Sequence, residues 1–364
     1  MTTTWTSRAA TPSEAAILHH PDRQTAWAPL LVVEVAGAPL TEADVHARLA
    51  DLASRHWILR ARRLGTRWVA ADAVSPPTRL GALADLCRPF DLAADAPLRI
   101  ALATDGRRLA LTAHHAALDG RALLTVAAHL LGTPAGEPAD VAEVDHAPTP
   151  APAPAAAEPG SSGRSAGAID ALRRLARPAD RVAPSVAPPS REVFVSAELP
   201  LQASARVAQL AAAACAAAQD WNGARGAPWR RVGLTIPVGG PPVLGNVSTH
   251  RRVDLPATAD PAAAVQHALR AAHGPASRAP HPAVLRMLAP VVHRFSDSLL
   301  VSNLGLVTLP GAAAVDFYPQ ARGRSAVALG AASVVGGGRR LTLRARDLTE
   351  DDARALLDST LARL

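Results

Sequence analysis

The sequence predicts a two-lobed α/β protein, on three observations. Strand-patterned and helix-patterned segments interleave on both sides of a central stretch rich in Pro, Ala, Gly and Ser. The chain has 364 residues, beyond the size at which one hydrophobic core stops growing. Hydrophobic residues make up 49% of it, ample for two cores, while aromatic residues are only 3%, so Ala, Leu and Val must build them.

The first lobe is assigned to residues 1–133. Leu30 to Val35 reads as a strand. Thr41 to Ser54 places Val45, Leu49, Leu52 and Ala53 at helical spacing, with Thr41 as the cap. Trp68 to Ala70 begins a short strand. Leu98 to Leu102 and Leu109 to Ala113 flank Asp105-Gly106, the turn of a hairpin. Residues 134–168 change character: prolines alternate with alanines, and Gly160-Ser161-Ser162-Gly163 follows. This composition predicts a poorly ordered linker. The second lobe is assigned to residues 169–364. It contains a strand at Glu192 to Ser196, an Ala-rich helix over 201–219 and a strand at Val232 to Ile236. An apolar run at Ser298 to Val301 ends in Ser302-Asn303-Leu304-Gly305. A strand at Leu341 to Ala345 and a C-terminal helix from Thr349 to Leu364 follow. Two such lobes imply a cleft between them, a common place for ligands.

Composition excludes some functions. The net charge is +7, but all 38 basic residues are Arg and they are scattered. The densest patch, Arg55, Arg60, Arg62, Arg63 and Arg67, has no aromatic platform for stacking bases, so no nucleic-acid partner is expected. Cys87 and Cys215 lie too far apart in sequence for a metal motif or a disulfide framework, which fits a reducing cytoplasm. No signal peptide is visible at Met1 to Trp5. The most apolar stretch, Leu201 to Ala218, is broken by Gln202, Arg206 and Gln209, so it reads as a packed helix and not a membrane span. A monomer is expected.

The chemistry concentrates in His114-His115-Ala116-Ala117-Leu118-Asp119-Gly120. This run follows a strand and precedes the apolar helix pattern from Ala122 to Ala128. Alternate strand residues face opposite sides, so only one histidine points a given way. An imidazole titrates near neutral pH and can take a proton from an alcohol or amine. Asp119 is placed to cap the helix. A zinc site would need a third ligand, with His129 and His146 available only on spacing, and none is expected. His250, His281 and His293 carry no chemical spacing and read as surface or structural residues.

His-His-x-x-x-Asp-Gly resembles the signature of the CoA-dependent acyltransferase superfamily. That group includes nonribosomal peptide condensation domains, polyketide-associated and wax-ester acyltransferases, and enzymes like chloramphenicol acetyltransferase. Other segments resemble the family in the same order. They are Arg55-His56-Trp57-Ile58-Leu59-Arg60; Pro89-Phe90-Asp91-Leu92 with Pro97-Leu98-Arg99; Leu244-Gly245-Asn246-Val247-Ser248-Thr249; and Val301-Ser302-Asn303-Leu304-Gly305. One departure stands out: Ile236-Pro237-Val238-Gly239-Gly240 lies where many relatives carry Pro-Val-Asp-x-Arg.

The resemblance implies two chloramphenicol-acetyltransferase-like lobes in a V-shaped pseudo-dimer with a central tunnel. It implies that His115 is the general base and that His114, Asp119 and Gly120 are architectural. The family's aspartate often pairs with an arginine, for which Arg60 and Arg251 are the candidates. Asn246, Ser302 and Asn303 are candidates for binding substrate or stabilising an oxyanion; the other reading of Ser302-Asn303 is a strand-end turn with Asn303 left-handed. No permanent cofactor is implied. The expected co-substrate is acyl-CoA or a phosphopantetheinyl carrier protein, and the expected acceptor a small alcohol or amine, in natural-product or lipid biosynthesis. The alternatives are cyclisation or epimerisation of a carrier-bound intermediate, or a non-catalytic module that recruits carrier proteins.

Overall fold

The structure is a computed structural model that describes residues 7–20, 25–132, 141–142, 176–240, 243–270, 297–321 and 327–364. The expected linker, 134–168, lies outside the described residues except for Val141–Ala142.

Among the described residues the chain forms three sheets and seven helices. The first part runs β1 (Ser7–Ala9), α1 (Pro12–Leu18), β2 (Leu30–Val35), α2 (Glu42–Arg55), β3 (Ala61–Leu64), β4 (Arg67–Ala70), β5 (Thr78–Arg79), α3 (Leu83–Leu86), β6 (Leu98–Leu102), β7 (Arg108–Ala113) and α4 (Gly120–Leu130). The rest runs β8 (Val141–Ala142), β9 (Val193–Glu198), α5 (Val207–Gly223), β10 (Arg231–Val238), β11 (Thr249–Pro256), α6 (Pro261–Arg270), β12 (Leu299–Val307), β13 (Ala312–Tyr318), β14 (Val327–Val334), β15 (Arg339–Ala345) and α7 (Glu350–Leu361).

Local signals set many of these boundaries. Thr41, Asp119 and Thr349 each accept an N–H of the first turn of the helix they precede. Gly106 turns the β6–β7 hairpin at φ 66°, a conformation that suits glycine. The Ala-rich helix begins at Val207 and not near Leu201: Arg206, at its N-cap, does not cap the helix with its side chain, so no residue type marks the start.

The five-stranded sheet has the order β13-β2-β7-β6-β5, and the seven-stranded sheet β11-β10-β12-β14-β15-β9, with β8 paired to the end of β12. A strand from late in the sequence, β13, thus completes the sheet of the first part by pairing antiparallel with β2, Val315 opposite Val33. A side chain at Gly330 of β14 would collide with the carbonyl of Phe317, so glycine lets β13 cross there. Phe317, Val315, Leu304 and Val334 consequently join the first core, with Leu31, Leu111 and Leu123. The second core lies between the larger sheet and its helices, where Leu234, Val253, Val301 and Leu343 meet the alanines of α5 and Leu357 of α7. No described helix is long and apolar enough to cross a membrane.

Candidate active site

The histidine pair sits where β7 runs out. The N–H of His114 donates to the carbonyl of Pro97 at 2.8 Å, and that of His115 to Trp27 at 2.7 Å, so each is tied to the chain on one side of β7. Trp27 has φ 49°, a region costly for a residue with a Cβ. Its carbonyl accepts the N–H of His115, so local strain sits beside the His115 side chain. Nothing in the sequence marks Trp27 for this role.

The two imidazoles have different surroundings. His114 is 9% exposed and meets the Phe90 ring edge-on at 5.9 Å. Arg99 lies over the other contact of that ring, 3.8 Å from its centroid, and donates to the carbonyls of Leu86, Arg88 and Pro89. The segments around Phe90 and Arg99 therefore form the bed of His114. Its Nδ1 accepts the N–H of Ala116 at 3.2 Å. Burial, followed by the charges of His115, Arg63 and Arg99, lowers its pKa to about 3, so it is neutral at neutral pH. His115 is 8% exposed. Its Nδ1 lies 3.4 Å from the Leu118 carbonyl, which can only accept, so Nδ1 carries the proton in that contact and Nε2 is left as the basic nitrogen.

Asp119 is 3% exposed and has three jobs. Its Oδ1 caps α4 by accepting the N–H of Ala122 at 3.0 Å. Its Oδ2 accepts the N–H groups of Val247 and Ser248, both at 3.1 Å. Its own N–H donates to the Gly245 carbonyl at 3.1 Å. The Gly245–Ser248 segment is thereby clamped to the motif. Arg60 is engaged elsewhere: its guanidinium donates to the carbonyls of Ala53 and Ala71, bracing the end of α2. Asn246 turns inward on its own loop and accepts from the Ser248 hydroxyl at 3.0 Å.

Gly120 is required by packing. A Cβ there would lie 2.9 and 3.0 Å from the Phe317 ring and 3.3 Å from Leu304. Arg121, the next residue, was not singled out by the sequence. Its side chain covers Gly239, where a Cβ would lie 2.6 Å from its Nε, and it donates to the Gly240 carbonyl at 2.9 Å. Gly239, where the related pattern carries its acidic residue, leaves room for this arginine from α4.

Ser302 and Asn303 part company. They lie within β12, not in a turn, and alternate residues of a strand face opposite ways. Leu299 and Val301 belong to the helix-side core, whereas Leu304 packs at Gly120. Asn303 faces the α5 side: its amide donates to Ala205 at 2.6 Å and accepts from the Gly305 N–H at 2.8 Å. That fixes the bend, and the left-handed residue is Gly305, φ 78°. Ser302, 6% exposed, shares the motif's side with Leu304.

His250 is a surface residue, as its lack of chemical spacing suggested, yet it lies beside the motif. It is exposed on β11, and its ring stands 6.3 Å from that of His115, the planes at 89°. His129 lies 3.1 Å from Asp51 of α2. His146, His281 and His293 fall outside the described residues.

No family model matches the chain, and no curated protein matches it in sequence. Solved structures do match in fold. The starter condensation domain of rhizomide synthetase RzmA, in complex with C8-CoA and Leu-SNAC, is 16% identical with a TM-score of 0.58; the match covers 98% of this chain and 93% of that one. The EpoB NRPS cyclization-docking bidomain from Sorangium cellulosum is 14% identical, TM-score 0.64, over 98% and 84% of the two chains. The epimerization domain from the third module of tyrocidine synthetase B is 14% identical, TM-score 0.53, over 99% and 96%. The chain therefore has the fold shared by the condensation, cyclization and epimerization domains of peptide synthetases.

Proposed function

We propose that this protein transfers an acyl group from a thioester, on CoA or on the phosphopantetheine arm of a carrier protein, to a hydroxyl or amine. The observation that carries this reading is the perch of His115: a rigid strand end, Nδ1 turned to the Leu118 carbonyl, and Nε2 left as the base. In this reading the two sheets with their helices are the lobes of a V-shaped pseudo-dimer, and donor and acceptor meet in the tunnel between them.

His115 Nε2 takes the acceptor's proton as its heteroatom bonds to the thioester carbonyl carbon. Ser302 donates to the oxygen that becomes negative. The tetrahedral adduct collapses, the carbon–sulfur bond breaks, and the thiolate leaves with the proton held by His115. No acyl-enzyme is formed and no cofactor is consumed. Proton transfer of this kind supplies roughly 10²–10⁴-fold, and holding two substrates together adds to it. We place the protein in the cytoplasm as a monomer.

The experiment is product mass spectrometry with acyl-CoA or a loaded carrier protein and a panel of amines and alcohols. Wild type is expected to form the acylated acceptor. His115→Ala is expected to lose turnover while still binding the thioester. Full turnover by a correctly folded His115→Ala protein overturns the mechanism. The shared fold of cyclization and epimerization domains gives a second reading. A product of unchanged mass with inverted configuration, or one lighter by a molecule of water, would select it.

A further inference from the structure

His115 must hold the acceptor within about 2.6–3.2 Å to take its proton. What else touches the acceptor there is set by the clamp at Asp119. Asp119 fixes the N–H groups of Val247 and Ser248, four residues after His115 on one side and two residues before His250 on the other. β11 then starts, and its alternation sends Val253 and Leu255 into the second core and His250 to the opposite face, with Arg252 and Asp254. The result is two imidazoles edge to face across the boundary between the sheets, centroids 6.3 Å apart. His115 is buried and His250 is exposed, so a molecule that reaches His115 from the solvent side of the pair passes His250.

We propose that His250 is a second catalytic imidazole, which holds the acceptor while His115 removes the proton, by accepting the second N–H of an amine or by donating to the lone pair that a hydroxyl does not use in attack. This rests on the acyl-transfer reading. At the observed spacing, a heteroatom bonded to one ring is within reach of the other. His250 keeps its own proton through the step: the acceptor's proton goes to His115 and then to the leaving thiolate.

The test uses the full chain with His250→Phe, which keeps a ring but no nitrogen, and His250→Gln, which keeps a hydrogen-bonding group. His250→Phe is expected to lower kcat/KM for the acceptor about 10²-fold, with thioester binding unchanged, and His250→Gln to recover part of the loss. Wild-type kcat/KM in His250→Phe overturns the proposal. A second readout needs no turnover: NMR shifts of the His115 ring protons in the free protein. Removing the facing ring in His250→Gln is expected to move these shifts, and unchanged His115 ring shifts overturn the pairing. If the rings are paired but wild type acylates no acceptor, the acyl-transfer reading fails and the histidine pair stands.

Discussion

The carboxylate of Asp119 accepts the backbone N–H of Ser248 at 3.1 Å, which makes the motif's acidic residue a clamp between two parts of the molecule. The same oxygen holds Val247, and the other oxygen caps α4. An ion pair with an arginine at that oxygen would compete with the N–H groups of Val247 and Ser248. Charge-assisted bonds to backbone N–H groups in a buried place are among the stronger single contacts in a fold.

Asp119→Asn tests the clamp. Asparagine can cap α4 with its oxygen, but its amide then presents N–H groups to the N–H donors of Val247 and Ser248. The substitution is expected to cost about 2–4 kcal/mol, read from denaturant unfolding. Stability equal to wild type would remove the clamp from the account.

Much of this was legible in the sequence because it is local. The caps Thr41 and Asp119, the Asp105-Gly106 hairpin and the strand–turn–helix order around the histidines each depend on residues a few positions apart. The missed strands have physical reasons. β13 opens with Ala312-Ala313-Ala314, which fits a helix as well as a strand, and its partner β2 lies nearly 300 residues earlier in the chain. β14 is buried throughout, so it shows no alternation. The partners of Asp119 are backbone amides, which leave no side-chain trace, and His250 acquires its place only through them. Ser302-Asn303 looked like a strand end because polar residues follow an apolar run, yet β12 continues to Val307.

Gly120→Ala sets two effects against each other. Alanine is favoured over glycine in a helix by about 1 kcal/mol. Its methyl would meet the Phe317 ring at 2.9 Å and Leu304 at 3.3 Å, and an aromatic ring in a packed core cannot move aside cheaply. Overpacking of this kind costs about 1–3 kcal/mol and wins. A lower thermal midpoint is expected, and a higher one would show that the ring yields.

The pH dependence of stability carries two opposed contributions. His114 has its pKa lowered to about 3 in the folded protein, from 6.5. Between those values the unfolded chain binds more protons, so this contribution is present above pH 6.5 and is lost as pH falls towards 3. Asp316 is the reverse. Burial raises its pKa from 3.8 to about 6, against Arg340, whose Nε is 4.0 Å away. Its contribution is present below pH 3.8 and is lost as pH rises through about 6. Each can change stability by at most about 1.4 kcal/mol per pH unit. His114→Asn is expected to flatten the loss of stability on acidification from pH 6.5, and Asp316→Asn to flatten the loss on going from pH 4 to 6. Unfolding curves at half-unit steps of pH measure both, and a variant whose profile parallels wild type would refute its assignment.

Ser302 and Asn303 are neighbours with opposite expected phenotypes. The Asn303 amide joins Ala205 to Gly305 on the helix side of β12, away from the motif. Asn303→Ala removes both bonds and leaves a half-buried carbonyl and N–H to find other partners, at a cost of about 1–2 kcal/mol. Its kcat/KM is expected to remain near wild type at temperatures well below unfolding. Ser302 faces the motif side with Leu304 and, in the proposed reaction, donates to the developing oxyanion. Ser302→Ala is therefore expected to change stability by less than about 1 kcal/mol while lowering kcat/KM about 10²-fold. Measuring unfolding and turnover on both variants separates the roles. If Ser302→Ala loses stability but keeps its kcat/KM, the oxyanion must be held by another donor, and the Gly245–Ser248 loop becomes the place to look.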